Sequence, residues 1–122
     1  EFPDINFVLY HGSYPFGGSL SYLVKAFRNV YLDMNWTYSI SPSYASGFLN
    51  EWLETVPVSK IMAFGGDQRC VENTYGELVI AKKVISDVLI EKVKNGYLTE
   101  SEAKSVAKMI LHDNGVRFYN LN

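Results

Sequence analysis

Apolar residues recur along the chain in two alternating rhythms. Ile5 to Tyr10, Val30 to Met34 and Lys60 to Phe64 are short apolar and β-branched runs, the composition of strands buried on both faces of a parallel sheet. Between and after them the period becomes helical. Leu20, Leu23, Val24 and Phe27 fall at i, i+3, i+4 and i+7 and predict one buried stripe of a helix beginning at Ser19. Ser41-Pro42 offers an N-cap and a proline for the first helical position. Phe48, Leu49, Trp52 and Leu53 are the buried face of that second helix, which Pro57 ends. After Gly65-Gly66 a long helix is predicted from near Tyr75, with Leu78, Ala81, Ile85, Val88 and Leu89 inward and Gly96 just past its end.

Thr99 with Glu102 forms a capping-box sequence, and Ala103, Val106, Ala107, Ile110 and Leu111 are the stripe of the helix it starts. Asn114-Gly115 is predicted to close that helix, leaving Val116 to Leu121 for one last short turn. Strand starts near 5, 29 and 60 have the spacing of right-handed βαβ units, so the fold class is α/β with a parallel sheet. No internal repeat and no linker divides the chain, and 122 residues with 48% apolar types suffice for a single domain over 1–122.

Charge and composition exclude several partners. Eleven basic against thirteen acidic side chains form no Lys/Arg stripe, so nucleic acid is not expected. No apolar run approaches the roughly 20 residues that span a bilayer, and no charged segment followed by an apolar one opens the chain, so no membrane is expected and the location is read as cytoplasmic. Cys70 stands alone, without a disulfide partner or zinc-ligand spacing, and is read as a buried thiol. Glu1-Phe2-Pro3-Asp4 runs directly into a strand without an initiator Met, which leads us to expect a fragment.

In parallel α/β sheets the loops at the carboxyl ends of the strands carry the chemistry. Here they are Tyr10-His11-Gly12-Ser13, Leu32-Asp33-Met34-Asn35-Trp36 and Phe64-Gly65-Gly66-Asp67-Gln68-Arg69. His11 follows four apolar residues, which places an imidazole over the sheet's end, as a metal ligand, a proton shuttle or a structural histidine. Asp67 follows two glycines that permit a tight turn and close approach to a ligand, or serves as an ordinary helix cap. Asp33 is a substrate contact or a loop hydrogen-bond acceptor, and Trp36 lines a pocket or covers its rim. Arg69 pairs with a substrate carboxylate, or with Glu72 or Glu77. His112 is read as a helix-end histidine without catalytic role. Neither a phosphate-binding glycine motif nor a GxSxG serine elbow is present.

The order Phe2-Pro3-Asp4, strand, His11-Gly12, helix, Asn29-Val30-Tyr31-Leu32-Asp33, then Phe64-Gly65-Gly66-Asp67 resembles the C-terminal part of the metal-dependent amidohydrolases, in particular the amidohydrolase-2 group of hydrolases and decarboxylases. The ending Asn114-Gly115-Val116-Arg117-Phe118-Tyr119-Asn120-Leu121 is similar to that group's close. The resemblance implies a partial (β/α)8 TIM barrel, comprising the sixth to eighth βα units plus a C-terminal helix. It implies that Asp67 contacts a divalent metal, zinc by preference, and that His11 is a ligand or a neighbouring acid/base. The implied reaction is attack of an activated water on an amide, ester or lactone of a small-molecule substrate, or loss of carbon dioxide from an acid. Ser13, and Gln68-Arg69 after the aspartate, depart from the family pattern, and the family's His-x-His has no counterpart in a chain with two histidines. A catalytic zinc normally takes three protein ligands, so this chain alone is expected to hold metal weakly or not at all and to be inactive. Unpaired sheet edges lead to an expectation of homo-oligomers. The alternatives are an independent α/β module that binds or senses a small ligand without catalysis, and a scaffold that only assembles.

Overall fold

In the computed structural model, residues 2–121 are described; Glu1, part of the opening segment read as a mid-chain start, lies outside them. Three parallel strands, β1 (Phe7–Leu9), β2 (Val30–Asp33) and β3 (Ile61–Met62), form a sheet in the order β1-β2-β3. Helices α1 (Gly17–Ala26), α2 (Thr37–Ile40) and α3 (Pro42–Thr55) occupy the connections, and α4 (Val71–Lys94), α5 (Glu100–Lys108) and α6 (Asn114–Tyr119) follow the last strand. The α/β class and the parallel sheet are therefore as the periodicity requires. The register sets Leu9 opposite Leu32, and Leu32 and Asp33 opposite Ile61 and Met62, so the three strand ends lie level.

Adjacent strand residues point to opposite faces. Leu32 and Ile61 are fully buried against a core that includes Val24 of α1, Leu49 and Trp52 of α3 and Ile85 of α4. On the other face Tyr31 meets Phe118 of α6 edge-on, ring centres 4.7 Å apart. Gly17 admits this packing: a Cβ there would lie 2.1 Å from the Phe48 ring, which itself stacks on Trp52. Lys60 donates to the carbonyls of Val24 (2.9 Å) and Phe27 (2.7 Å), tying the entrance of β3 to the carboxyl end of α1, where a cation suits the helix dipole.

Several expectations need correction. The stripe of α1 is Gly17, Leu20, Ser21 and Val24, whereas Leu23 and Phe27 are exposed. The close approach of Phe48 to Gly17 turns that side of the helix inward. β1 is shorter than the apolar run and is not buried on both faces: Phe7 within it and Ile5 before it are exposed, at the edge of the sheet. The long helix starts at Val71 rather than Tyr75, which makes Cys70 its N-cap and leaves the thiol exposed rather than buried. Asn114-Gly115 does not close the last helix. The chain runs from α5 through a wider π turn at Met109–Asp113 straight into α6.

This continuation deals with one sheet edge. Ala63 N–H donates to the Ile110 carbonyl (2.8 Å), and the buried Asn114 amide donates to the carbonyls of Val58 (2.8 Å) and Ile61 (2.7 Å). The edge of β3 is thus covered by the π turn and α6, contrary to the expectation of two bare edges. The β1 side stays open, with exposed Phe2, Phe7 and Phe27 along a groove.

Candidate functional site

The three strands end in three loops, and each loop carries a non-glycine residue in the left-handed region: His11 (φ 61°), Trp36 (φ 56°) and Asp67 (φ 43°). Such backbone costs about 1–3 kcal/mol at each position and persists where surrounding contacts enforce it, often at functional sites. These are also residues that meet. His11 Nε2 lies 3.6 Å from Asp67 Oδ2, and the edge of Trp36 faces the imidazole with ring centres 5.8 Å apart. No composition or period announces the left-handed turns, because histidine and aspartate enter that region only when their neighbours demand it.

Asn35 builds the His11 side of the pair. Its side-chain Oδ1 accepts from His11 N–H (3.1 Å), and its carbonyl lies 3.1 Å from His11 Nδ1. A carbonyl only accepts, so Nδ1 carries the proton and the neutral ring keeps its lone pair on Nε2, the atom turned toward Asp67. Gly65 lets the Asp67 loop come this close to the Asn35 loop, since a Cβ on it would stand 2.8 Å from Asn35 Cβ. Behind Asp67, Gln68 donates to Ser39 (3.1 Å) and to the buried Glu77 (3.0 Å), so α2 and α4 both hold the loop. Glu77 was read only as a possible partner of Arg69. Its role here depends on Gln68, a contact no helical period shows.

Asp33, the last residue of β2, is 5% exposed. Burial pushes its carboxyl up to about 6, although the hydrogen bond from Asn35 N–H (2.6 Å) and the nearby His11 pull the other way, and Asp67 adds to the rise. It faces a cleft of about 240 Å³ between the strand ends and the C-terminal helix, together with Tyr10, Asn35, Phe64 and Tyr119. The neighbouring Tyr10 hydroxyl is the main cause that pushes Tyr119 up to about 12, with burial adding to it. Arg69 is exposed and makes no ion pair among the described residues, so neither Glu72 nor Glu77 holds it. His112 sits in the π turn against Asp113 (2.9 Å) rather than in a helix's last turn.

No family model matches the chain. Protein fluG of Emericella nidulans is 32% identical over 127 aligned positions that take in all of this chain and 14% of fluG. A crystal structure of a candidate metal-dependent hydrolase from Lactobacillus casei matches 93% of this chain with a TM-score of 0.73 at 25% identity. The fold is hydrolase-like. The chain spans 29% of the Lactobacillus protein and a smaller share of fluG, so it corresponds to part of each.

The donor set fits one edge of a metal site. Zinc binds imidazole nitrogen at about 2.0–2.1 Å and carboxylate oxygen at about 2.0–2.2 Å, so one ion can reach two such atoms when they stand roughly 3.5 Å apart. His11 Nε2 and Asp67 Oδ2 have that separation, and the imidazole presents the correct nitrogen. Among the described residues no group of three or more His, Cys, Asp or Glu side chains gathers to complete the set.

Proposed function

We propose that this chain supplies the sixth, seventh and eighth βα units and the closing helix of an amidohydrolase-type (β/α)8 barrel. In that reading the longer protein hydrolyses an amide, ester or lactone of a small molecule, or decarboxylates a carboxylic acid, and this chain alone turns over nothing. The observation that carries the proposal is His11 Nε2 facing Asp67 Oδ2 at 3.6 Å across the carboxyl ends of β1 and β3. The hydrolase-like fold and the order of motifs along the chain support it.

His11 and Asp67 would hold a divalent metal, with zinc the preferred ion, and the remaining ligands would come from strands outside this chain. Such a metal supplies Lewis acidity and a water acidic enough to react near neutrality. With Oδ2 turned to the metal, the other carboxylate oxygen of Asp67 would be the group that accepts a proton. Asn35 fixes the His11 ring from the Nδ1 side, so Nε2 cannot turn away. Trp36, packed beside the imidazole, would line the substrate pocket, and Arg69, without an ion pair among the described residues, would pair with a substrate carboxylate. The non-catalytic module remains the second reading, favoured by a site with only two metal-binding groups among the described residues.

The upstream reading frame tests the choice. An apolar strand followed by His-x-His supports the enzyme, and a native start near Glu1 supports the module. In the longer protein Asp67→Asn is expected to lower kcat by at least a hundredfold with the fold intact, as the loss of a catalytic base does. Unchanged turnover would remove Asp67 from the mechanism.

The open β1 edge is the surface we propose for self-association, since among the described residues β1 has no strand on its side away from β2 and apolar side chains there face solvent. Light scattering should then show a mass that grows with concentration. A monodisperse monomer at high concentration would contradict this.

A further inference from the structure

We propose that the cleft between the strand ends and the C-terminal helix binds a small organic cation with a flat apolar body. The cleft encloses about 240 Å³, room for a molecule built on one ring. Its walls divide by chemistry. Met62, Phe64 and Leu111 offer an apolar bed, and the hydroxyl-bearing rings of Tyr10 and Tyr119, each about half-exposed, stand among its lining residues.

The polar end is Asp33, which is buried and yet lines the cavity. One of its oxygens accepts from Asn35 N–H. No lysine or arginine lines the cleft, and none pairs with Asp33 among the described residues. A carboxylate withdrawn from water without a countercharge is costly, and a cation delivered by a ligand relieves that cost. Tyrosine rings such as those of Tyr10 and Tyr119 attract the same charge through their faces, so the lining offers a cation more than one kind of partner. An anionic ligand would meet repulsion from the Asp33 carboxylate.

The ligand class that satisfies these walls is a primary amine or amidine carried on a planar ring. The inference uses the cleft alone and holds whether or not His11 and Asp67 carry a metal. Chelator-treated protein therefore separates it from the proposed reaction, since an amine can then reach no metal.

The test is a titration of the chelator-treated chain, followed by the amide signals of Asn35, Gly65 and Gly115, with benzylamine, benzyl alcohol and benzoate as probes. Benzylamine is expected to give saturable shifts at all three amides in the millimolar range that so small a ligand permits. Benzyl alcohol and benzoate should bind at least tenfold more weakly. Asp33→Asn keeps an acceptor for Asn35 N–H and should weaken benzylamine at least tenfold. Tyr119→Ala, which removes a wall of the cleft without touching the strands, should weaken it several-fold. Benzoate or benzyl alcohol binding as tightly as benzylamine, no saturable shift at these amides, or an Asp33→Asn variant with unchanged affinity would overturn the proposal.

Discussion

Asn114→Ala is expected to lower the unfolding free energy of this chain by about 2–4 kcal/mol in urea titrations, a large part of the roughly 5–15 kcal/mol that a domain possesses. The residue is 2% exposed, and its amide donates to two main-chain carbonyls, Val58 at 2.8 Å and Ile61 at 2.7 Å. These carbonyls sit where the chain enters β3, the strand whose following loop carries Asp67. Removing the amide leaves the Ile61 carbonyl without a donor in a place water reaches poorly, at about 1–3 kcal/mol, takes one of two donors from the Val58 carbonyl, which keeps Ile61 N–H, and opens a small void besides. Arg117 donates to the neighbouring Ser59 carbonyl (2.8 Å), but it is exposed, so Arg117→Ala should cost about 1 kcal/mol or less. Equal effects from the two variants would show that Asn114 is not the clamp.

The second large effect depends on pH. Asp33 titrates near 6 in the folded chain against an ordinary value of 3.8. A carboxyl raised on folding stabilises the fold fully below its unfolded pKa and loses that contribution as pH climbs through the folded one. The gap of about two pH units corresponds to roughly 3 kcal/mol, lost between about pH 4 and pH 7. Asp33→Asn stays neutral throughout and can still accept from Asn35 N–H. The variant should therefore match the parent near pH 4 and exceed it in unfolding free energy by as much as roughly 3 kcal/mol near pH 7.5. Glu100, Glu102 and Asp113 are lowered by their hydrogen-bond partners and act in the opposite sense at low pH, yet they are present in both proteins and cancel in the difference. A difference that does not grow with pH would mean that Asp33 is solvated in the folded chain.

The features legible in the sequence were those that local physics decides. Ser41-Pro42 starts α3, with the Ser41 hydroxyl accepting from Tyr44 N–H, and Thr99 with Glu102 closes both halves of a capping box. Three apolar runs at βαβ spacing gave three parallel strands, and the carboxyl ends of those strands held His11 and Asp67 within 3.6 Å. What the pattern hid depends on distant partners. Asn114 looked like a helix stop because asparagine often ends helices, but its side chain is engaged by β3 and the backbone continues. Leu23 and Phe27 fit a stripe as well as Gly17 and Ser21 do, and only the position of Phe48 decides between them. Lys92 is 4% exposed in the last turn of α4, paired with Glu54 and lying over the Tyr97 ring, an arrangement that helix periodicity would have assigned to solvent.

The central claim, that His11 and Asp67 are two members of an incomplete metal site, is tested most directly by zinc binding to this chain with a chromophoric competitor. The expected result is weak, rapidly exchanging binding of one zinc that brief dialysis removes and that His11→Ala and Asp67→Asn each abolish, because two ligands do not make a closed site. Tight stoichiometric zinc that survives dialysis would show a fuller ligand set than the one described, and weak binding indifferent to both substitutions would show that these residues are not the ligands.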